Sequence, residues 1–216
     1  MSDLKNISIF EGLSEEELAA IEAIAVTRNY PKNSVIINEG DIANAMYMVS
    51  SGKVRVYVSD DQGKEFILNS MGPGEYFGEL SLLDDEKRSA SVITTEKSTF
   101  SIIYKDEFTK AILDNPNLAM AMLKNLACSV RKLTDNIKTL ALQDVYGRIR
   151  KTLLSMAVED GDIMIVEEKL TQQDIANRIG SSREMVARIL KDLTVGGYIR
   201  SERKQFQILK KLPESY

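Results

Sequence analysis

The hydrophobic pattern of this chain changes period at Asn115-Pro116. Before that point, short apolar runs rich in β-branched and aromatic side chains are separated by glycines, a pattern typical of strands joined by tight turns. At that point an asparagine that can cap a helix is followed by a proline suited to a first helical turn, and apolar residues then recur at helical spacing. We therefore expect a β-rich domain followed by a long helix.

The β-rich part follows one short acidic helix, predicted from Ser14 to Ala25, in which Ser14 and Glu17 form a capping-box pattern. Many short strands with regular turns predict a sandwich or barrel-like roll, whose interior can enclose a small ligand. The predicted strands are Ser34–Ile37, Ala45–Val49, Val54–Val58, Glu65–Ser70, Ala90–Thr94 and Thr99–Tyr104.

The long helix carries a heptad seam. Its a positions are mainly β-branched and its d positions are leucines, a choice that favours parallel two-stranded coiled coils. The seam predicts a dimerisation helix, although an amphipathic helix packed on its own domain would show a similar pattern. Gln143-Asp144 interrupts the seam, and Asp144 can cap a new helix, so we place a hinge there. The seam residues are Leu123, Val130 and Ile137 at a, with Leu126, Leu133 and Leu140 at d.

The C-terminal region has the pattern of a winged helix-turn-helix. After a core-forming helix predicted over Tyr146–Ala157, Thr171 caps one helix, Gly180 permits a tight turn and the segment Ser181-Ser182-Arg183-Glu184 caps a second helix, with Val186 and Ile189 facing inward. An αα-hairpin without function is the alternative. The wing strands are predicted at 198–200 and 205–209, after Gly196-Gly197 and around the turn at 201–204.

Charge distinguishes this region from the rest. Residues 171–216 contain nine Lys and Arg and five Asp and Glu, a net charge of +4, which leaves 19 basic and 27 acidic residues, a net charge of −8, before them. A basic module attached to an acidic body is the arrangement expected of a protein that binds DNA with one end.

Residue usage limits the chemistry. The chain has no histidine and one cysteine, Cys128, so we expect no metal, haem or iron–sulfur cluster. No nucleophile–base pair is visible, which argues against an enzyme. The start of the chain lacks a secretory signal, and no apolar run is long enough to span a bilayer, so we expect a cytoplasmic protein without a membrane partner.

The segment from Gly72 to Val92 has the residues of a nucleotide site. Gly78 leaves its backbone N–H unobstructed, Ser89 adds a hydroxyl and Arg88 brings a guanidinium that matches phosphate oxygens. Glu79 would repel a phosphate, so a sugar hydroxyl is its sensible partner. Phosphate and ribose together indicate a nucleotide, unless Glu79 and Arg88 only pair with each other at the lip of a roll.

The sequence Phe77–Leu82 followed by Arg88–Val92 resembles the phosphate-binding cassette of the cyclic AMP receptor protein (CRP/FNR) family. Phe10–Leu13, Glu39–Asp41 and Ser51–Val54 also resemble that family, and the likeness covers essentially the whole chain. It implies an α+β fold: a cyclic-nucleotide-binding β-roll at 1–115, a coiled-coil dimerisation helix at 116–143 and a winged helix-turn-helix at 144–216.

The resemblance implies a homodimeric transcription regulator, an activator that binds double-stranded DNA and RNA polymerase under the allosteric control of a cyclic nucleotide, cyclic AMP in the first place. The base contact departs from the family, because Leu133 cannot hydrogen-bond an exocyclic amine whereas the adjoining Thr134 can. The base is therefore not identified, and a ligand-independent regulator whose roll is a scaffold or docking surface is the alternative. The ligand-binding residues implied are Gly78, Glu79, Leu80, Ser81, Arg88, Ser89, Leu133 and Thr134.

In such modules the N-terminal half of the second helix meets base edges. The resemblance assigns base contacts in a TGTGA-like half-site of an inverted repeat to Arg183, Glu184 and Arg188, although Glu184 could serve only as a capping-box residue. Ser182 and Lys191 are expected to contact phosphates, and Thr171 is counted among the DNA-binding residues.

Overall fold

The computed structural model describes residues 5, 7–10, 12–161, 163–202 and 205–214. The chain divides into two compact units, one of Met1–Asp60 with Ile67–Arg131 and one of Asp61–Phe66 with Lys132–Tyr216. It contains antiparallel sheets, a long helix and a C-terminal helix-turn-helix, so the predicted α+β fold class is confirmed.

The first part of the chain forms a roll of two four-stranded sheets. The strands are β1 (Val26–Tyr30), β2 (Val35–Ile37), β3 (Ala45–Ser51), β4 (Val54–Ser59), β5 (Glu65–Met71), β6 (Tyr76–Phe77), β7 (Ser91–Thr94) and β8 (Ser98–Tyr104). The sheet orders are β1-β8-β3-β6 and β2-β7-β4-β5. Aromatic side chains from three strands of the first sheet form a cluster. The ring centroids of Tyr47 and Phe77 lie 5.1 Å apart in a stacked arrangement, and Phe77 meets Phe100 edge-on with centroids 5.5 Å apart.

Helices pack on this roll through a second cluster of buried residues, which includes Leu18, Met48, Phe108 and Leu118. Ser14 caps the first helix: its hydroxyl accepts the Glu17 N–H at 3.2 Å, and the Glu17 carboxylate accepts the Ser14 N–H at 2.6 Å, which confirms the predicted capping box. A 3-10 helix at Ser8–Phe10 is followed by α1 (Glu15–Ile24), α2 (Leu80–Leu83), α3 (Lys105–Asp114) and α4 (Pro116–Leu142).

Asn115 starts the 27-residue helix α4 as predicted, since its side-chain oxygen accepts the N–H groups of Asn117 and Leu118 at 3.0 and 3.2 Å. Asp144 then caps the next helix, because its carboxylate accepts the Gly147 N–H at 2.7 Å. The predicted interruption between the two helices is therefore present.

The second unit contains the helix-turn-helix. Its core includes Ile149, Leu153, Ile175, Val186 and Ile189, all buried. The elements are α5 (Val145–Ser155), β9 (Ala157–Asp160), β10 (Ile163–Val166), α6 (Gln172–Ile179), α7 (Arg183–Val195), β11 (Ile199–Glu202) and β12 (Gln205–Ile208), with the strands in the order β11-β12-β10-β9.

The predicted elements differ from the observed ones mainly at their ends. The helix predicted to reach Ala157 ends at Ser155, because Ala157 begins β9 and pairs with Val166 of β10. The elements β1, β6, β9, β10, α2 and α3 were not predicted. Two predicted features lie partly outside the described residues: Glu11 of the Phe10–Leu13 motif, and Arg203 and Lys204 in the turn of the wing.

Candidate functional site

The predicted nucleotide site is a continuous segment from β6 through α2 to β7. Gly78 lies between β6 and Glu79 and has a φ of +84°, a left-handed conformation that side chains with a Cβ rarely adopt. A Cβ at this position would lie 2.8 Å from the Arg88 Nη1 atom and 3.1 Å from the Ile37 side chain. The position therefore needs glycine for its backbone conformation and for the close approach of Arg88.

Arg88 is the anchored cation of this segment. Only 5% of its surface is exposed, and its guanidinium donates to the carbonyl oxygens of Gly78 and Ala45, each at 2.5 Å. Its backbone N–H donates to the Asp41 carbonyl at 2.9 Å. An arginine has five side-chain N–H groups, so these two side-chain bonds orient the guanidinium and leave further donors for an anion.

Burial shifts the pKa values of three ionisable groups in the cassette. Burial lowers the pKa of Arg88, while the nearby Tyr47 and Glu79 oppose that shift. Burial also raises the pKa of the Glu79 carboxyl, against the opposing effects of its own backbone hydrogen bond and of Arg88. The pKa of Tyr76 is raised by burial and by the charge of Glu79. Glu79 and Arg88 therefore influence each other, although no ion pair joins them among the residues described.

The other cassette residues have distinct surroundings. The buried Ser81 hydroxyl donates to the Lys87 carbonyl at 3.2 Å, so this hydroxyl orders the loop that leads to Arg88. Leu80 is 44% exposed and Ser89 is exposed. The six residues predicted in this segment thus lie in one continuous stretch of the structure. The Ser81 hydroxyl is bonded within the protein, whereas Ser89 is accessible to solvent.

The two helix residues predicted to meet the base are on α4 and belong to the second unit, whereas the cassette belongs to the first. Leu133 is 53% exposed, and Thr134 is exposed as well. Most of the heptad seam shares this exposure, in contrast to Leu118 and Met122 near the start of α4, which are buried against the roll. The exposed seam residues are Leu123, Val130, Leu133, Ile137 and Leu140.

The helix-turn-helix is formed by local capping. The Thr171 hydroxyl accepts the Asp174 N–H at 3.1 Å, and the Asp174 carboxylate accepts the Thr171 N–H at 2.8 Å. Gly180 ends α6 with a φ of +63°, as the tight turn requires. The Ser182 hydroxyl accepts the Met185 N–H at 3.2 Å and starts α7. The third residue after the cap is therefore Met185, so the alternative reading of Glu184 as a capping-box residue is wrong.

The predicted DNA-binding side chains lie at the surface of α7. Ser182, Arg183, Glu184, Arg188 and Lys191 are all exposed. Arg183 and Lys191 line a groove of about 670 Å³ that also includes Thr171. The hydroxyl of Thr171 donates to the Asp174 carboxylate at 2.6 Å, so this hydroxyl serves the cap.

Sequence reasoning missed several neighbours of these sites. Ala45 and Asp41 hold Arg88 through backbone oxygens, which carry no sequence signal. Gln172 and Ser201 line the same groove as Arg183. Both have polar side chains in the basic region, and a search for hydrogen-bond donors beside the second helix would have found them.

Within the described ranges, no helix has both the length and the apolar character needed to cross a bilayer. Across the same residues, no group of three or more metal-binding side chains could hold a metal ion.

Comparison with known proteins identifies both halves of the chain. Residues 27–115 match the cyclic nucleotide-binding domain, and residues 147–212 match the Crp-like helix-turn-helix domain. The chain is 32% identical over 209 residues to the CRP-like cAMP-activated global transcriptional regulator of Mycobacterium tuberculosis, across 95% of this chain and 93% of that protein. It is 36% identical over 172 residues to the cAMP-activated global transcriptional regulator CRP of Haemophilus influenzae, across 76% and 75% of the two chains.

Solved structures share the fold. Thermus thermophilus catabolite activator protein is similar with a TM-score of 0.58 and 29% identity, over 93% of each chain. The c-di-GMP-responsive global regulator CLP of Xanthomonas campestris has a TM-score of 0.82 at 24% identity, over 92% of this chain and 100% of that one. Because both domains match in order, and a 32% identical relative is matched along nearly its whole length, this chain belongs to the CRP/FNR family of transcription regulators.

Proposed function

We propose that this protein is a homodimeric transcription regulator that binds a cyclic nucleotide in the cassette and a palindromic TGTGA-like site through the two copies of α7. The observation that carries the nucleotide part is the anchored, buried Arg88 beside a left-handed Gly78 and a half-buried Glu79. A pre-oriented guanidinium suits a cyclic phosphate, and a carboxylate suits a ribose hydroxyl.

Cyclic AMP is the proposed effector. The relatives from Mycobacterium tuberculosis and Haemophilus influenzae are named as cAMP-activated, which supports this choice. Arg88 and Ser89 would bind the phosphate and Glu79 the ribose, with Gly78, Leu80 and Ser81 shaping the segment around them. Thr134 would offer the adenine a hydroxyl, whereas Leu133 would offer it only an apolar surface.

The exposed apolar seam supports the dimer. Branched side chains at spacings of three and four along α4 are more than half exposed at four positions, and a second copy of the helix would cover them. Ligand binding would change the packing of the seam, and the predicted hinge at Gln143-Asp144 would let both α7 helices reach successive major-groove faces, about 34 Å apart.

DNA recognition is assigned to exposed side chains of α7. Arg183 and Arg188 would each read a guanine, and Glu184 would accept from a cytosine amine. Ser182 and Lys191 would contact phosphates, while the Thr171 hydroxyl would act through the cap it maintains. The regulator would act in the cytoplasm as an activator, with RNA polymerase as its protein partner and without enzymatic turnover of the nucleotide.

The test is operator binding at fixed salt, measured by fluorescence anisotropy of a labelled duplex with inverted TGTGA repeats. Cyclic AMP should raise affinity for this duplex by about tenfold or more, within the usual range of allosteric coupling, and should leave a scrambled duplex little changed. Cyclic GMP and c-di-GMP, added separately, would rank the effectors. Equal operator binding with and without every nucleotide would contradict the proposal.

The second candidate is a ligand-independent regulator, and the apolar Leu133 is the observation that favours it. Calorimetric titration of cyclic AMP into the purified protein separates the two functions. Strong sequence-specific DNA binding without any calorimetric nucleotide binding would establish the alternative.

A further inference from the structure

Arg188 does not extend freely from the recognition helix. Its Nη2 atom donates to the Met185 sulfur at 3.0 Å. The two residues are three positions apart and therefore lie on the same face of α7. Met185 is half-buried and packs against the core of the second unit, whereas Arg188 is exposed. A side chain held by the core thus contacts a guanidinium at the surface.

The contact has a specific electrostatic character. Glu184 is four positions before Arg188 and could in principle form an ion pair with it, which would neutralise the cation. Arg188 takes part in none of the ion pairs found among the described residues. A thioether is a weak, uncharged acceptor, so it orients the guanidinium and leaves its positive charge available to DNA.

The backbone of Met185 is itself anchored. Its N–H donates to the Ser182 hydroxyl at 3.2 Å, at the cap of α7. A helical side chain leans toward the N-terminus of its helix, and Met185 precedes Arg188, so the contact holds the guanidinium toward the first turns of α7. Those are the turns that meet base edges in helix-turn-helix proteins.

We infer that Met185 is a positioning residue for base recognition, which holds the Arg188 guanidinium in the orientation that reads one G·C pair. The inference rests on the proposed function, since it requires α7 to read DNA. Its physical basis is preorganisation: a long, flexible arginine loses rotamer freedom when it binds, and an arginine already held by Met185 loses less.

The experiment is a double-mutant cycle with Met185→Leu and Arg188→Ala. Leucine has a volume similar to that of methionine and keeps the apolar packing, but it lacks the sulfur acceptor. Binding is measured, with saturating cyclic AMP, to the TGTGA duplex, to a random duplex and to duplexes in which each G·C pair of the half-site is changed singly. Melting temperature reports on the structural role of each side chain.

Met185→Leu should weaken operator binding about three- to tenfold, with random-DNA binding unchanged and discrimination lost at one G·C pair. Arg188→Ala should lose discrimination at that same pair, and adding Met185→Leu to Arg188→Ala should have no further effect. An equal effect of Met185→Leu with and without Arg188 would overturn the inference, because Met185 would then act on DNA or on stability directly. Unchanged operator binding by Met185→Leu would overturn it as well.

The starting protein distinguishes this failure from failure of the proposed function. If the starting protein prefers the operator over random DNA and the effects of Met185→Leu and Arg188→Ala on operator binding are additive, only the role of Met185 is refuted. Starting protein that binds both duplexes equally refutes the proposed function and this inference together.

Discussion

The cations of the two predicted sites are held in opposite ways. Arg88 in the cassette is buried and bonded to backbone carbonyls from two distant parts of the chain, whereas Arg183 and Lys191 on α7 are exposed. Removing a buried arginine leaves the buried carbonyls that it satisfies without a donor, so the change affects folding and binding together. An exposed arginine on a capped helix is available for binding, so its removal should change binding alone.

The largest expected effect is that of Arg88→Leu. Nucleotide affinity should fall tenfold or more, since charge-assisted bonds contribute on the order of 1.5–3 kcal/mol each. The carbonyls of Gly78 and Ala45 also lose their donor, so the free energy of unfolding should fall by about 1–3 kcal/mol. Calorimetry and urea unfolding measure the two quantities. Arg28→Leu, at an exposed arginine of β1, is the control, and a similar loss there would remove the special role of Arg88.

Gly78→Ala should have the next largest effect. A left-handed conformation costs a residue with a Cβ about 1–2 kcal/mol, and the clash with Arg88 and Ile37 should add roughly 1–3 kcal/mol. Gly63→Ala is a matched control, because Gly63 has a φ of +76° and no atom within 4 Å of the added Cβ. Equal losses of melting temperature in the two variants would mean that the close approach of Arg88 to position 78 does not contribute to the loss of stability.

On the recognition helix, Arg183→Ala should cost about 1–3 kcal/mol on the preferred operator and relax one base position. Lys191→Ala should weaken all sequences alike and reduce the salt dependence by about one phosphate contact. Neither variant should change the melting temperature, in contrast to Arg88→Leu. A clear loss of stability in Arg183→Ala would break the distinction between the two sites.

The smallest expected effect is the pH dependence of nucleotide binding. Burial raises the pKa of Glu79, so this carboxyl favours folding below its ordinary pKa, and that contribution is lost as pH rises through the raised pKa. A ribose hydroxyl that donates to Glu79 favours the ionised form, so binding should release a proton and affinity should increase with pH. Calorimetry in buffers of different ionisation enthalpy counts the proton. Glu79→Gln should abolish the dependence, and an unchanged profile in that variant would assign it to another group.

Local sequence signals predicted the capped elements well. Ser14, Asn115, Asp144, Thr171 and Ser182 all accept backbone N–H groups at helix starts. The strand β6 was missed because it has two residues, which show no period, and it forms only by pairing with Tyr47 and Met48. Helix α3 did carry a helical signal in Phe108, Ala111 and Ile112, although no helix was predicted there. The predicted domain boundaries and site assignments stay predictions.

The sequence by itself determined that a β-rich region precedes the helix-turn-helix and that the helices of that module begin at capping residues, because periodicity and capping act between residues a few positions apart. Only the tertiary structure decided that Arg88 is buried and bonded to Ala45, 43 positions away, and that the guanidinium of Arg88 meets backbone oxygens instead of Glu79. The acceptors in these contacts are backbone carbonyl oxygens, which every residue carries. Their partners are therefore selected by the packing of the sheets, which no local pattern encodes.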